Sequence, residues 1–138
     1  MNEHVIAMVE LLKQDQRYQL EAYQFVRESL AYAQRIMKMP PQVTEGEEGK
    51  SDHHLTGQQL CQAIREYALE QYGYMAKTVL NSWGIHNTGD FGEIVYNLIR
   101  IKEMRKSKSD RREDFDDQYD FETAFMPRFE LANDASSE

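Results

Sequence analysis

The sequence predicts a mostly α-helical protein, a compact bundle of four to five helices with an irregular C-terminal segment packed on it. Apolar residues recur every three to four positions across residues 20–38, which is the period of an amphipathic helix. Thr56 and Gln59 have the spacing of a capping box, which marks the start of another helix. No stretch shows a convincing alternation of apolar and polar residues, the pattern typical of a half-buried strand.

The first two predicted helices lie in the N-terminal third of the chain. Residues 4–14 carry a dense helical pattern of apolar side chains, and Asp15 is placed to cap the helix that follows. The second helix ends before Pro40 and Pro41, because proline cannot continue a helix.

Residues 40–53 are rich in glycine and polar side chains, which predicts one long, mobile loop. At 138 residues the chain has the length of one domain. We therefore expect a single helical domain over residues 1–126 and a disordered polar tail over residues 127–138.

Two more helices follow the capping box. One runs to Gly73, where glycine favours a helix end, and a shorter one covers residues 74–83 and stops at Gly84. A fifth helix is predicted over residues 88–104, opened by Thr88 and Asp90. Gly92 lies inside it at a cost of about 1 kcal/mol relative to alanine, so we expect a close packing partner there.

The charge reverses after the fifth helix. Residues 100–112 contain seven Lys or Arg, and residues 113–122 contain six Asp or Glu. We expect the two halves to neutralise each other across a turn near Ser109, with a β-hairpin over residues 100–125 as the alternative. Four aromatic side chains are then predicted to hold this segment on the helical core: Phe115, Tyr119, Phe121 and Phe125.

The composition of the chain favours some binding partners and cellular compartments over others. The net charge of −8 disfavours non-specific attraction to nucleic acid and to anionic membranes. Cys61 is the only cysteine, so no intramolecular disulfide can form, and we interpret it as a buried structural thiol. Acidic residues at Glu3 and Glu10 do not fit a signal peptide, and no window is apolar enough to span a membrane. We interpret the protein as cytoplasmic.

No catalytic or metal-binding motif is recognised with its residues at the required spacing. A calcium loop starting at Asp114 would need glycine where Tyr119 stands and glutamate where Phe125 stands. His53 and His54 follow several acids, but adjacent histidines point in different directions, which disfavours a shared metal ion. The glycines form neither a P-loop nor a dinucleotide fingerprint. The sequence thus predicts no catalytic residue, no cofactor and no metal site.

The run HLTGQQLCQAIREYALEQYGYMAKTVLNSWGIHNTGDFGEIVYNLIRIKEM, followed by SDRREDFDDQYDFETAF, resembles a family of small bacterial proteins, chiefly from planctomycetes and their relatives, with no assigned function. The resemblance covers about residues 17–125, and its most specific pieces are DFGEIVYNL and YDFETAF. It implies a shared fold unit and a bacterial origin, and it carries over no functional residue. The basic run IRIKEMRKSKS departs from the family pattern.

The sequence favours a non-enzymatic protein-interaction or regulatory module whose partner is another protein. Aromatic and basic residues between the fourth helix and the charge reversal form the predicted interaction surface: Trp83, Tyr96, Arg100, Arg105, Lys106, Lys108, Arg111 and Arg112.

The alternative is a helix–turn–helix-like nucleic-acid-binding protein that uses the basic residues from Arg100 to Arg112. It is disfavoured because Asp90 and Glu93 lie in the first turn of the second helix, where phosphates would be repelled. An uncharacterised enzyme is the third interpretation.

Overall fold

The computed structural model describes residues 2–37, 42–45 and 51–126. Within them, five helices of seven or more residues and one four-residue helix are formed. Their bounds are α1 Glu3–Gln14, α2 Leu20–Arg35, α3 Gly57–Tyr72, α4 Ala76–Ser82, α5 Thr88–Arg100 and α6 Phe121–Ala124. Two 3-10 turns, Gly73–Met75 and Arg112–Phe115, precede α4 and α6. The predicted fold class, a mostly α-helical bundle with a packed C-terminal segment, is confirmed.

Two short strands differ from the predicted loop over residues 40–53. Strand β1, Gln42–Glu45, pairs with strand β2, Ser51–His54, in an antiparallel register that places Val43 opposite His53. The β-branched Val43 and Thr44 suit extended backbone, a local preference that the surrounding glycines and prolines mask in the sequence. The predicted tail over residues 127–138 lies outside the described residues.

Of the three predicted helix caps, one forms as predicted, one is shifted to the preceding residue and one is absent. Thr56 and Gln59 form the predicted capping box at the start of α3. Helix α5, however, is capped by Asn87, whose side chain accepts from the backbone N–H of Asp90. Asp15 does not cap α2, which starts five residues later; it is the C-cap of α1, and its carboxylate binds the Arg17 guanidinium.

Helix α5 ends at Arg100 and not at residue 104. Lys102 adopts a positive φ of 65°, which breaks the helix, and the Glu103 N–H donates back to the Leu98 carbonyl at 2.8 Å. The chain therefore turns over the end of α5 and brings Glu103 to Arg27 on α2, with an Nη1–Oε1 distance of 3.1 Å.

The core lies where α2, α3 and α5 meet. Its largest fully buried side chains include Tyr23 of α2, Ile64 of α3 and Phe91 of α5. The C-terminal segment completes it, as predicted: Phe115, Phe121 and Phe125 are at most 5% exposed. The hydroxyl of Tyr119 also donates to the Cys61 carbonyl at 2.7 Å. Residues 100–125 contain no strand, so the hairpin alternative is wrong.

Among the residues described, no helix has both the length and the apolar character that crossing a membrane requires.

Candidate functional site

A cleft of about 410 Å³ opens between α2, the start of α3, α5 and residues 103–115. Apolar and polar side chains both line it, and the apolar ones are Leu30, Leu55, Leu60, Val95, Ile99, Met104 and Phe115. A volume of this size accommodates a small ligand or a few side chains of a partner. We call this feature the cleft.

The hydroxyl of Tyr96 is the unusual polar group of the cleft. Helix α5 directs Tyr96 into the lining, and its Oη is buried without a hydrogen-bond partner. Burial raises the pKa of this hydroxyl, and the nearby carboxylates of Asp110 and Asp114 raise it further. Tyr96 is therefore neutral at physiological pH and can donate one hydrogen bond. A buried hydroxyl left unpaired costs about 1–3 kcal/mol.

The rim of the cleft carries charges of both signs. On one side Glu103 accepts from Arg27 at 3.1 Å and contacts His4 of α1. On the other side Asp114 accepts from the backbone N–H of Arg111 at 3.2 Å. Asp110 accepts from the N–H of Ser107 at 2.9 Å. The positive and negative charges of the rim therefore nearly balance. The bonds from Asp110 and Asp114 to backbone N–H groups help to hold the chain in place over residues 107–114.

The structure brings three residues of the predicted interaction surface together and separates the rest. Tyr96, Arg105 and Arg111 all line the cleft. Trp83 lies at the end of α4, where its ring packs against Phe25 with a centroid distance of 5.5 Å.

The remaining basic residues of the predicted surface lie elsewhere. Arg100 donates to Gln14 of α1 at 3.3 Å and to the Asn97 side chain at 3.0 Å. Lys106 donates to the carbonyl of the next residue, and Lys108 is exposed. Neither lines the cleft, and Arg100 joins α5 to α1.

Arg112 connects the C-terminal segment to α5. Its guanidinium donates to the Glu93 carboxylate at 2.8 Å, to the Gly89 carbonyl at 2.8 Å and to the Asp116 carboxylate at 2.9 Å. The group lies against Gly92, where a Cβ would approach Nη1 to 2.8 Å. Arg112 is therefore the close packing partner that the sequence required at Gly92. Its pair with Asp116 joins a basic and an acidic residue, but it is a local contact between residues four apart and does not cross the predicted turn near Ser109.

Sequence analysis missed the part of the cleft that α2 contributes. Arg27, Leu30, Ala31 and Gln34 line it and follow one another at helical spacing. These residues lie beside the buried face of α2. The sequence therefore contained a signal for them, a second helix face that is half apolar and half polar. Nothing local showed that residues 103–115 would cross over it.

Metal and thiol chemistry find no support in the described part of the chain. No three His, Cys, Asp or Glu side chains there are placed to hold a metal ion, and the side chains of His53 and His54 are not described. Burial raises the pKa of the Cys61 thiol to about 12, so it remains protonated. This agrees with the structural thiol expected from the sequence.

No protein family model, curated protein or solved structure matches the chain.

Proposed function

We propose that this protein is a non-enzymatic, cytoplasmic interaction module that docks a segment of another protein in the cleft. One observation carries the proposal: the buried Tyr96 hydroxyl lacks a partner in a cleft that combines apolar side chains with charges of both signs. An apolar side chain of the partner enters the cleft and displaces the lining over the Tyr96 hydroxyl, which then donates to a main-chain carbonyl of the partner. A buried apolar anchor beside one directional hydrogen bond is typical of interface hot spots.

The other polar groups of the cleft support recognition over catalysis. Glu103 is bound to Arg27, Asp114 to the Arg111 N–H, and Thr56 is used in the α3 capping box. General acid–base catalysis needs a group that can reach a substrate proton, and these groups already serve the fold. What remains at Tyr96 is a neutral donor suited to a carbonyl.

Charge supports a protein partner over a nucleic acid. Asp110 and Asp114 line the cleft beside Arg105 and Arg111, so acids are interleaved with the basic residues. The start of α5 is also engaged, because Asp90 accepts from the hydroxyl of Tyr18 at 2.6 Å. A recognition helix must present its first turns to the major groove.

The proposal is tested with full-length tagged protein and two tryptophan variants. Ile99→Trp fills the cleft, whereas Gln62→Trp places the same side chain on an exposed position of α3. We expect a protein captured from the native organism by the wild type and by Gln62→Trp, and lost with Ile99→Trp. Circular dichroism checks that both variants fold.

The captured protein is then purified, and its affinity is measured by calorimetry. Tyr96→Phe should weaken binding by about tenfold, the equivalent of 1.4 kcal/mol. A partner retained equally by Ile99→Trp contradicts the proposal. So does binding of DNA or RNA at about 50 mM salt that weakens steeply as salt increases, because that dependence is typical of phosphate contacts.

A further inference from the structure

A second depression lies on a neighbouring face of α2. This aromatic groove, of about 400 Å³, lies between α2 and α3 and is lined by Tyr32, Tyr67, Glu28, Glu70 and Arg35, among others. It is distinct from the cleft, although Ala31 borders both.

A series of contacts between aromatic rings leads to the aromatic groove. Trp83 packs on Phe25 at a centroid distance of 5.5 Å, Phe25 on Tyr67 at 5.0 Å, and Tyr67 on Tyr32 at 4.9 Å. Within the described residues, Tyr32 has no further ring contact, and its side chain is only partly buried. The series of ring contacts therefore ends at Tyr32, a partly exposed ring against which another planar group can be placed.

Carboxylates flank this open end. Glu28 accepts from the Tyr67 hydroxyl at 3.3 Å, which fixes its carboxylate beside the ring. Glu70 also lines the groove, and after burial it is the main cause of the raised pKa of Tyr32. Arg35 is the cation among the lining residues, so two carboxylates face one guanidinium. The groove has a net negative charge next to an aromatic face.

We propose that the aromatic groove binds an arginine side chain of a partner protein, with the guanidinium stacked on Tyr32 and paired with Glu70. A guanidinium is planar, stacks on aromatic rings and pairs with carboxylates in a fixed geometry, whereas a lysine ammonium does not extend a stack. An apolar side chain would cover the carboxylates without pairing them, which is unfavourable. The proposal is independent of what binds in the cleft.

The test is an NMR titration of the full chain with N-acetyl-arginine methylamide. The matched probe is N-acetyl-citrulline methylamide, which has nearly the same planar shape without the charge. We expect arginine to shift the amide resonances around Tyr32, Tyr67 and Glu70. Citrulline should bind about three- to fivefold more weakly, as for an exposed cation–π contact. Equal binding of the two probes, or shifts that map elsewhere, overturns the proposal.

Variants separate the two components of the site. Glu70→Gln should weaken arginine binding by about threefold, whereas Glu21→Gln, an exposed carboxylate of α2 outside the groove, should not. Tyr32→Leu should remove the preference for arginine over lysine. If the wild type binds lysine as tightly as arginine, the guanidinium does not stack on Tyr32. Ile99→Trp should leave arginine binding unchanged, so a failure of the cleft proposal is distinguishable from a failure of this one.

Discussion

The guanidinium of Arg112 lies directly against Gly92, so that a Cβ at position 92 would come within 2.8 Å of its Nη1 and 2.9 Å of the Phe115 Cβ. Twenty residues separate the two along the chain. The Arg112 side chain occupies the space that a side chain at position 92 would otherwise fill. This explains why the interior of α5 contains a glycine.

Gly92→Ala should therefore destabilise the protein although alanine is the better helix former. The gain of about 1 kcal/mol in helix propensity is outweighed by overpacking, for which we expect a loss of about 1–3 kcal/mol. Urea denaturation measures the free energy of unfolding. Gln62→Ala, at an exposed helical position, is the control and should change it by less than about 0.5 kcal/mol. A more stable Gly92→Ala protein would show that Arg112 is not held in place.

Truncation after Ser109 should expose apolar surface and destabilise the domain. It removes Phe115, Phe121 and Phe125, and losing one buried phenylalanine side chain costs about 3–5 kcal/mol. Domains of this size have a total stability of about 5–15 kcal/mol, so we expect loss of cooperative unfolding and strong binding of a hydrophobic dye. Truncation after Met126 serves as the control. A stable protein ending at Ser109 would mean that the segment is dispensable.

Tyr96→Phe and Tyr119→Phe remove the same atom and should have opposite effects on stability. The Tyr96 hydroxyl is buried without a partner, so its removal should leave stability unchanged or raise it by about 1 kcal/mol. The Tyr119 hydroxyl donates to the Cys61 carbonyl, so its loss should cost about 1–3 kcal/mol. Thermal unfolding of the two variants under one condition makes the comparison. Equal destabilisation would show that Tyr96 also has a structural partner.

The Asp15 carboxylate should make the free energy of unfolding depend on pH under acidic conditions. The hydrogen bonds from Arg17 hold the pKa of Asp15 well below its usual range, and Asn97 adds a further bond at 2.9 Å. A carboxylate whose pKa is lower in the folded state stabilises the protein above the unfolded pKa of about 3.9. This contribution is lost as the pH falls through the folded pKa.

We therefore expect the free energy of unfolding to fall below about pH 4, and Asp15→Asn to flatten that decline and to be less stable at pH 7. Asp117→Asn is the matched control, because Asp117 is exposed and asparagine tolerates its positive φ of 51°. If the free energy of unfolding changes with pH in the same way for wild type and Asp15→Asn between pH 2 and pH 7, Asp15 does not contribute to acid sensitivity.

Cys61 should react with thiol reagents only when the domain opens. The side chain is buried and its thiol remains protonated because burial raises its pKa to about 12. Labelling by a disulfide-exchange reagent should be slow in the native protein and fast in urea. Tyr119→Phe should accelerate it, because that variant loses the bond to the Cys61 carbonyl. Rapid labelling of the native wild type would place the thiol at the surface.

Sequence reasoning succeeded where the signal was local. The capping box of Thr56 and Gln59 depends on residues three apart, and the apolar stripe of α2 repeats within a few turns. It also detected that Gly92 needed a close partner. It could not identify Arg112 as that partner, since the two meet only when the C-terminal segment folds back on α5.

The sequence predicted an interaction surface but no cleft, because a cleft depends on how distant segments pack. Tyr96, Arg105 and Arg111 were chosen from composition, and the structure places all three in the lining. The α2 wall and the turn at Lys102 were not anticipated, because a positive φ at lysine has no sequence signal. Tertiary placement, not residue type, decides which basic residues serve the fold and which reach the cleft.

The aromatic closure of the core has a consequence for biosynthesis. Phe121 and Phe125 cover Phe91 and its neighbours, so the helices made earlier keep an uncovered apolar face until the ribosome has added these residues. Folding of the domain can therefore be completed only after Phe125 has left the ribosome. Nascent chains that end before Phe125 therefore expose the kind of apolar surface that chaperones bind.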